Sequence, residues 1–185
     1  MEGYIAMSNT KNQRYPAAVC TILTALTLVM ARPILAAPLT PQEQLGKNLF
    51  LDTQLSEPAG QACASCHEAG AGFADPDQSL PVSEGVILGR FGTRNSPSAA
   101  YAAFSTAFTM KGGIKGGQFW YGRAGNLTEQ AKAPFLNPVE MNNTSRAQVI
   151  GKIQASVYAS LFTQVCGATA FDPANTDAAY HCMAE

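Results

Sequence analysis

The stretch that most restricts this chain is Cys63-Ala64-Ser65-Cys66-His67, two cysteines three residues apart with a histidine directly after the second. On one helical turn, cysteines so spaced can each close a thioether bond to one of the two vinyl groups of a porphyrin. The next residue then projects beneath the ring, where its imidazole can bind the iron. The spacing predicts one c-type haem, attached through Cys63 and Cys66 and ligated by His67. Three plainer readings compete. A thioredoxin-like redox pair needs a surrounding βαβ pattern, which the flanking residues lack. A structural zinc needs four ligands, and Cys166 and Cys182 are distant and lack paired spacing. A Cys63–Cys66 disulfide would leave His67 without a role.

The N-terminus bears on the compartment. Lys11 and Arg14 precede an uncharged, largely apolar run from Ala17 to Ala31, and small residues follow at Ala36 and Ala37. This is the pattern of an export signal, expected over residues 1–37. The run is shorter than the roughly 20 residues that cross a bilayer, and Arg32 and Pro33 end it. A retained membrane anchor is the plainer alternative. Residues 38–185 then form one folded domain, expected in the periplasm and free of the membrane once the signal is cut. In that oxidising setting Cys166 and Cys182 can pair. Lys and Arg number 12 against 13 Asp and Glu, and they are scattered. No basic field exists to hold a polyanion, so nucleic acid is not an expected partner.

Thr40-Pro41-Gln42-Glu43 is a capping box with Pro at the first helical position, and it predicts a helix whose apolar residues include Leu45, Leu49 and Phe50. From Phe73 to Asn95 no period persists, which reads as a long irregular loop. Loops of that length in a small domain usually carry function or wrap something large. Ser96-Pro97 predicts a second helix through Ser98 to Phe104. Asn126-Leu127-Thr128-Glu129 starts a third, with Glu129 placed to complete a capping box. Asn143-Thr144-Ser145 opens the longest helical stretch, with Val149, Ile153, Val157 and Leu161 on one buried face. Asn175-Thr176-Asp177 starts a last helix. No alternating strand pattern persists, so the expected class is all-α with long irregular loops.

Six ordered blocks carry a resemblance. They are Leu45-Gly46-Lys47-x-Leu49-Phe50-x-Asp52-x-x-Leu55-Ser56, Gly72-Phe73-x-Asp75, Gly92-x-Arg94-Asn95-x-Pro97, Phe119-Trp120-x-Gly122-Arg123, Leu127-x-x-Gln130-Ala131 and Pro134-x-x-Asn137-Pro138-x-Glu140-Met141. Together they resemble the N-terminal, peroxide-reacting haem domain of bacterial di-haem cytochrome c peroxidases and their MauG-type relatives, a cytochrome c-like fold. The resemblance implies that hydrogen peroxide binds on the haem face opposite His67. It implies that Glu140 is the distal acid–base group, that Gln130 is the amide that hydrogen-bonds the ligand, and that Pro134 lines the same pocket. Trp120 matches a tryptophan lying between two haems as an electron bridge, and Asn95 a ligand of a calcium ion at the domain junction. Read without the family, Glu140 is a surface acid beside a helix and Trp120 a core residue.

Three departures qualify the match. The family's second haem motif and C-terminal domain are missing from this sequence. The loop from Val82 to Thr93 holds no histidine, although many members supply a removable one from that loop. Only His67 and His181 exist in the chain. An iron that is five-coordinate or water-bound at rest is therefore expected. Tyr121 stands where many members have an acid. Three functions follow as expectations. The first is reduction of hydrogen peroxide with electrons from a small redox protein. The second is MauG-type oxidation of a partner protein. The third is a mono-haem electron carrier, which would need a methionine such as Met110 or Met141 on the second face.

Overall fold

The structure, a computed structural model, describes residues 37–77 and 79–185. The expected leader, residues 1–37, lies outside the described residues apart from Ala37. Helix α1, Pro41–Leu51, begins as its sequence requires: Thr40 Oγ1 accepts from Glu43 N–H, and the Glu43 carboxylate accepts from Thr40 N–H at 2.7 Å. Its buried residues Leu45 and Leu49, four apart, face the core. The four-residue helix α2, Cys63–Cys66, follows after a short 3₁₀ turn.

The C-terminal part supplies the other helices: α3, Leu127–Leu136, α4, Arg146–Gln154, α5, Ala159–Cys166, and α6, Thr176–Cys182. Leu45, Leu55, Phe135, Val149, Ile153, Phe162 and Tyr180 interlock as one core. Buried Asn143 ties two segments to it, since its Nδ2 donates to Leu55 O at 2.7 Å and Phe135 O at 2.9 Å. The Cys166–Cys182 disulfide joins α5 to α6. Residues Leu39–Glu185 form one compact unit. No strand longer than an isolated bridge occurs among the described residues, and the class is all-α.

Three local expectations are corrected. The stretch opened by Asn143-Thr144-Ser145 is two helices, not one. Ser156 Oγ donates to Ile153 O at 2.7 Å and accepts from Tyr158 N–H, which turns the chain between α4 and α5. As a result Val157 is fully exposed, and Tyr158 is buried instead, with its hydroxyl on Asp52. The helix expected over Ser98 to Phe104 reduces to a 3₁₀ turn, Ala102–Phe104, because Tyr101 takes a left-handed φ of 62° just before it. At α3, Asn126 caps Glu129 N–H, but the Glu129 carboxylate pairs with Lys132 at 2.7 Å rather than closing a capping box.

Candidate active site

Between α2, α3 and the loops lies a cleft of about 700 Å³, a size suited to a cofactor. Every residue that the sequence marks for a site lines it: Cys63, Cys66, His67, Asn95, Trp120, Gln130, Pro134 and Glu140. Helix α3 contributes by periodicity. Leu127, Gln130, Ala131 and Pro134 recur at steps of three and four, so one face of the helix points into the cleft. Pro134 has no N–H for the Gln130 carbonyl four residues back, and the helix ends two residues later at Leu136.

His67 caps the C-terminal end of α2, its N–H donating to Cys63 O at 3.0 Å. Its ring Nδ1 lies 3.0 Å from Phe73 O. A carbonyl only accepts, so Nδ1 carries the proton and Nε2 keeps its lone pair for a metal. The turn that delivers this carbonyl needs left-handed backbone at both Gly72, φ 66°, and Phe73, φ 59°. That requirement gives the Gly72-Phe73 block a physical reason. Both cysteines are unpaired thiols. Burial pushes the Cys63 thiol up to about 11 and raises Cys66 as well.

These donors suit a haem. The described residues contain no group of three or more histidines, cysteines and acids placed to hold an ion. The chain instead offers two thiols at thioether spacing and one oriented imidazole beside a largely apolar cleft, and a porphyrin brings its own nitrogen ligands. The same observation gives the calcium ion expected at Asn95 no acidic ligand group. Asn95 O accepts from Trp120 Nε1–H at 3.2 Å.

Glu140 is not a surface acid. It is half-buried in the cleft wall, and Asn137 Nδ2 donates to its Oε1 at 2.6 Å. Burial raises its pKa above the ordinary carboxylate value, while the Asn137 hydrogen bond and the charge of Arg123 pull the other way. Trp120 is not a core residue either: it is 45% exposed at the cleft wall. Tyr121, where an acid is common, lies beneath the Arg94 guanidinium, 4.7 Å from the ring centroid. Met141 lines the cleft but is buried in the core cluster, whereas Met110 is 72% exposed and is not among the lining residues. His181 is also outside the lining, with its Nε2 3.2 Å from a Glu185 carboxylate oxygen.

Sequence reasoning misses Asn137, Arg123, Gln61 and Met183, all of which line the cleft. Asn137 had a signal, three residues before the acid inside a matched block. Met183 had none, because only the packing of the chain's last helical turn brings it there.

Known proteins resemble this chain. A family model described as di-haem cytochrome c peroxidase matches residues 40–185. The methylamine utilization protein MauG of Paracoccus denitrificans is 45% identical over 115 residues, which cover 60% of this chain and 30% of that protein. Cytochrome c551 peroxidase of Pseudomonas aeruginosa is 41% identical over 114 residues, covering 60% of this chain and 29% of the relative. The crystal structure of the diheme peroxidase BthA from Burkholderia thailandensis aligns with a TM-score of 0.66 and 31% identity, over 81% of this chain and 41% of that one. The chain spans less than a third of the length of these two curated relatives. Because the family match runs through the whole cleft and not only through the cysteine–histidine motif, the chain belongs to the di-haem cytochrome c peroxidase family.

Proposed function

We propose that this chain is the peroxide-reacting haem domain of an exported, periplasmic peroxidase. Hydrogen peroxide, two protons and two electrons become two molecules of water, the electrons coming from a small redox protein. The observation that carries the reading is one cleft lined both by the oriented imidazole of His67 and by the half-buried carboxylate of Glu140. When bound, the haem supplies an iron that takes up peroxide and exchanges electrons. Cys63 and Cys66 hold the porphyrin by thioethers, and His67 Nε2 is the protein ligand.

Glu140 takes a proton from one peroxide oxygen and delivers it to the other, which makes the departing oxygen leave as water. A carboxylate with a raised pKa can do both, since it holds a proton less reluctantly between the two transfers. Asn137 fixes one of its oxygens and leaves the other for the substrate. Gln130 hydrogen-bonds the bound ligand, and Pro134 shapes the wall beside it. Trp120 carries electrons between the cleft and the exterior.

The test is Glu140→Gln in the haem-loaded protein, followed by rapid mixing with peroxide. Turnover falls by roughly 10² to 10⁴, the range for lost acid–base catalysis. Unchanged turnover overturns the assignment. A second reading, oxidation of a partner protein's side chains with peroxide as the oxidant, is favoured by the absence of any histidine from Val82 to Thr93. Peroxide consumption that needs no added small electron donor would support it.

A further inference from the structure

The loop from Val82 to Thr93, which has no histidine to offer, is built as a fixed clasp on the segment that carries Glu140. Its own backbone is closed on itself: Gly85 N–H donates to Arg90 O at 2.7 Å, Gly92 N–H to Ser83 O at 2.9 Å, and Gly89 N–H to the Glu84 carboxylate at 2.6 Å. The tip then meets the Glu140 segment at three points. Val86 N–H donates to Glu140 O at 2.9 Å. Arg90 Nη1 donates to Pro138 O at 3.2 Å and to Asn142 Oδ1 at 3.3 Å. Gly85 lies so close that a Cβ there would stand 2.3 Å from Val139 O and 3.1 Å from Glu140 N. Its φ is not left-handed. Glycine is therefore required at this position by the approach of the two backbones, not by the turn.

The other end of the clasp reaches the haem-attachment helix. Buried Gln61 donates from Nε2 to Glu84 O at 3.0 Å, and the same nitrogen lies 3.5 Å from Cys66 Sγ. One short path of hydrogen bonds thus runs from an attachment cysteine through Gln61 and the loop to the backbone of the acid.

We propose that Gly85, Val86 and Arg90 are positioning residues for Glu140, holding its carboxylate in a set place in the cleft wall from outside the cleft. The proposal rests on the acid–base reading of Glu140. Misplacing an acid–base group by about 1 Å can cost on the order of 10²-fold in rate while leaving binding alone. In Gly85→Ala the added methyl group must push the two backbones apart, because the atom it meets is a carbonyl and not a flexible side-chain end.

The test is a double-mutant cycle in the haem-loaded full chain, comparing Gly85→Ala, Glu140→Gln and both together. Gly85→Ala is expected to lower kcat with peroxide by roughly 10- to 100-fold, with KM unchanged. It should cost less than twofold more in the Glu140→Gln background. Amide hydrogen exchange should rise in 84–92 and 138–142 and stay unchanged in α4 and α5. Arg90→Met should give a smaller loss, and Arg90→Lys should restore most of it. Equal losses with and without Glu140, or faster exchange throughout the domain, overturn the proposal. If Glu140→Gln alone changes nothing, the acid–base reading fails. The exchange pattern then decides separately whether the clasp holds this segment.

Discussion

The helical part and the looped part of this domain are stabilised in different ways. Helices α1 and α3 to α6 bury apolar side chains against one another, and Val149, Ile153 and Phe162 reach zero exposure. The described residues of 68–125 contain only short 3₁₀ turns and isolated bridges, with left-handed backbone at Phe73, Tyr101, Phe119 and Tyr121. Its large side chains, among them Tyr101, Phe104 and Trp120, present apolar surface to the cleft instead of to a protein core. One region is held by contacts with itself. The other is shaped by the approach of backbones, such as Gly116 against Thr106 O and Gly85 against Val139 O, and by the cofactor it is built to enclose.

The sharpest way to break this contrast is to remove the attachment. Replacing Cys63 and Cys66 by alanine should abolish covalently retained haem on a denaturing gel, the largest effect expected. Limited proteolysis should then cut within 79–125 first, while 127–185 stays protected. Equal protection of both parts, with and without haem, would show that the loops are self-sufficient.

A core substitution should do the reverse. Phe162→Ala removes a fully buried ring that stacks on Phe171, with centroids 5.3 Å apart. The expected cost is about 3–5 kcal/mol in denaturant unfolding. The haem absorption spectrum should be unaltered under native conditions. A shifted spectrum would mean that the helical core and the cleft wall are one mechanical unit.

The smallest effect concerns pH. Burial raises the Glu140 pKa, so its ionised form is lost at a higher pH than for a free carboxylate. In the proposed mechanism Glu140 acts first as a base. Its rate should therefore fall about tenfold per unit as pH drops below that raised value, and hold level above it. In Glu140→Gln the acid limb should vanish. A limb that survives the substitution belongs to another group.

Much of this was legible in the sequence. The capping box at Thr40, the caps at Asn126 and Ser145, and the cysteine–histidine motif are local signals, each read within five residues. The six blocks and the cysteine–histidine motif named the expected site residues, and the fold set them around one cleft. The turn at Ser156 was not legible, because the apolar spacing continues straight through it. Only the competition of Val157 and Tyr158 for the core, settled by Asp52 just past the end of α1, decides which side chain is buried. The helix missing at Ser98 was hidden for a related reason, since nothing local announces left-handed backbone at Tyr101.

By itself the sequence determined which atoms can bond to a porphyrin and in what order, because thioether spacing and an adjacent imidazole are properties of a few consecutive residues. Tertiary structure alone decided that Phe73 turns its carbonyl onto His67, that Asn137 holds Glu140, and that a histidine-free loop closes on the acid from behind. Those pairings join residues whose approach depends on where backbones pass one another, and that distance is fixed only when the whole core is packed.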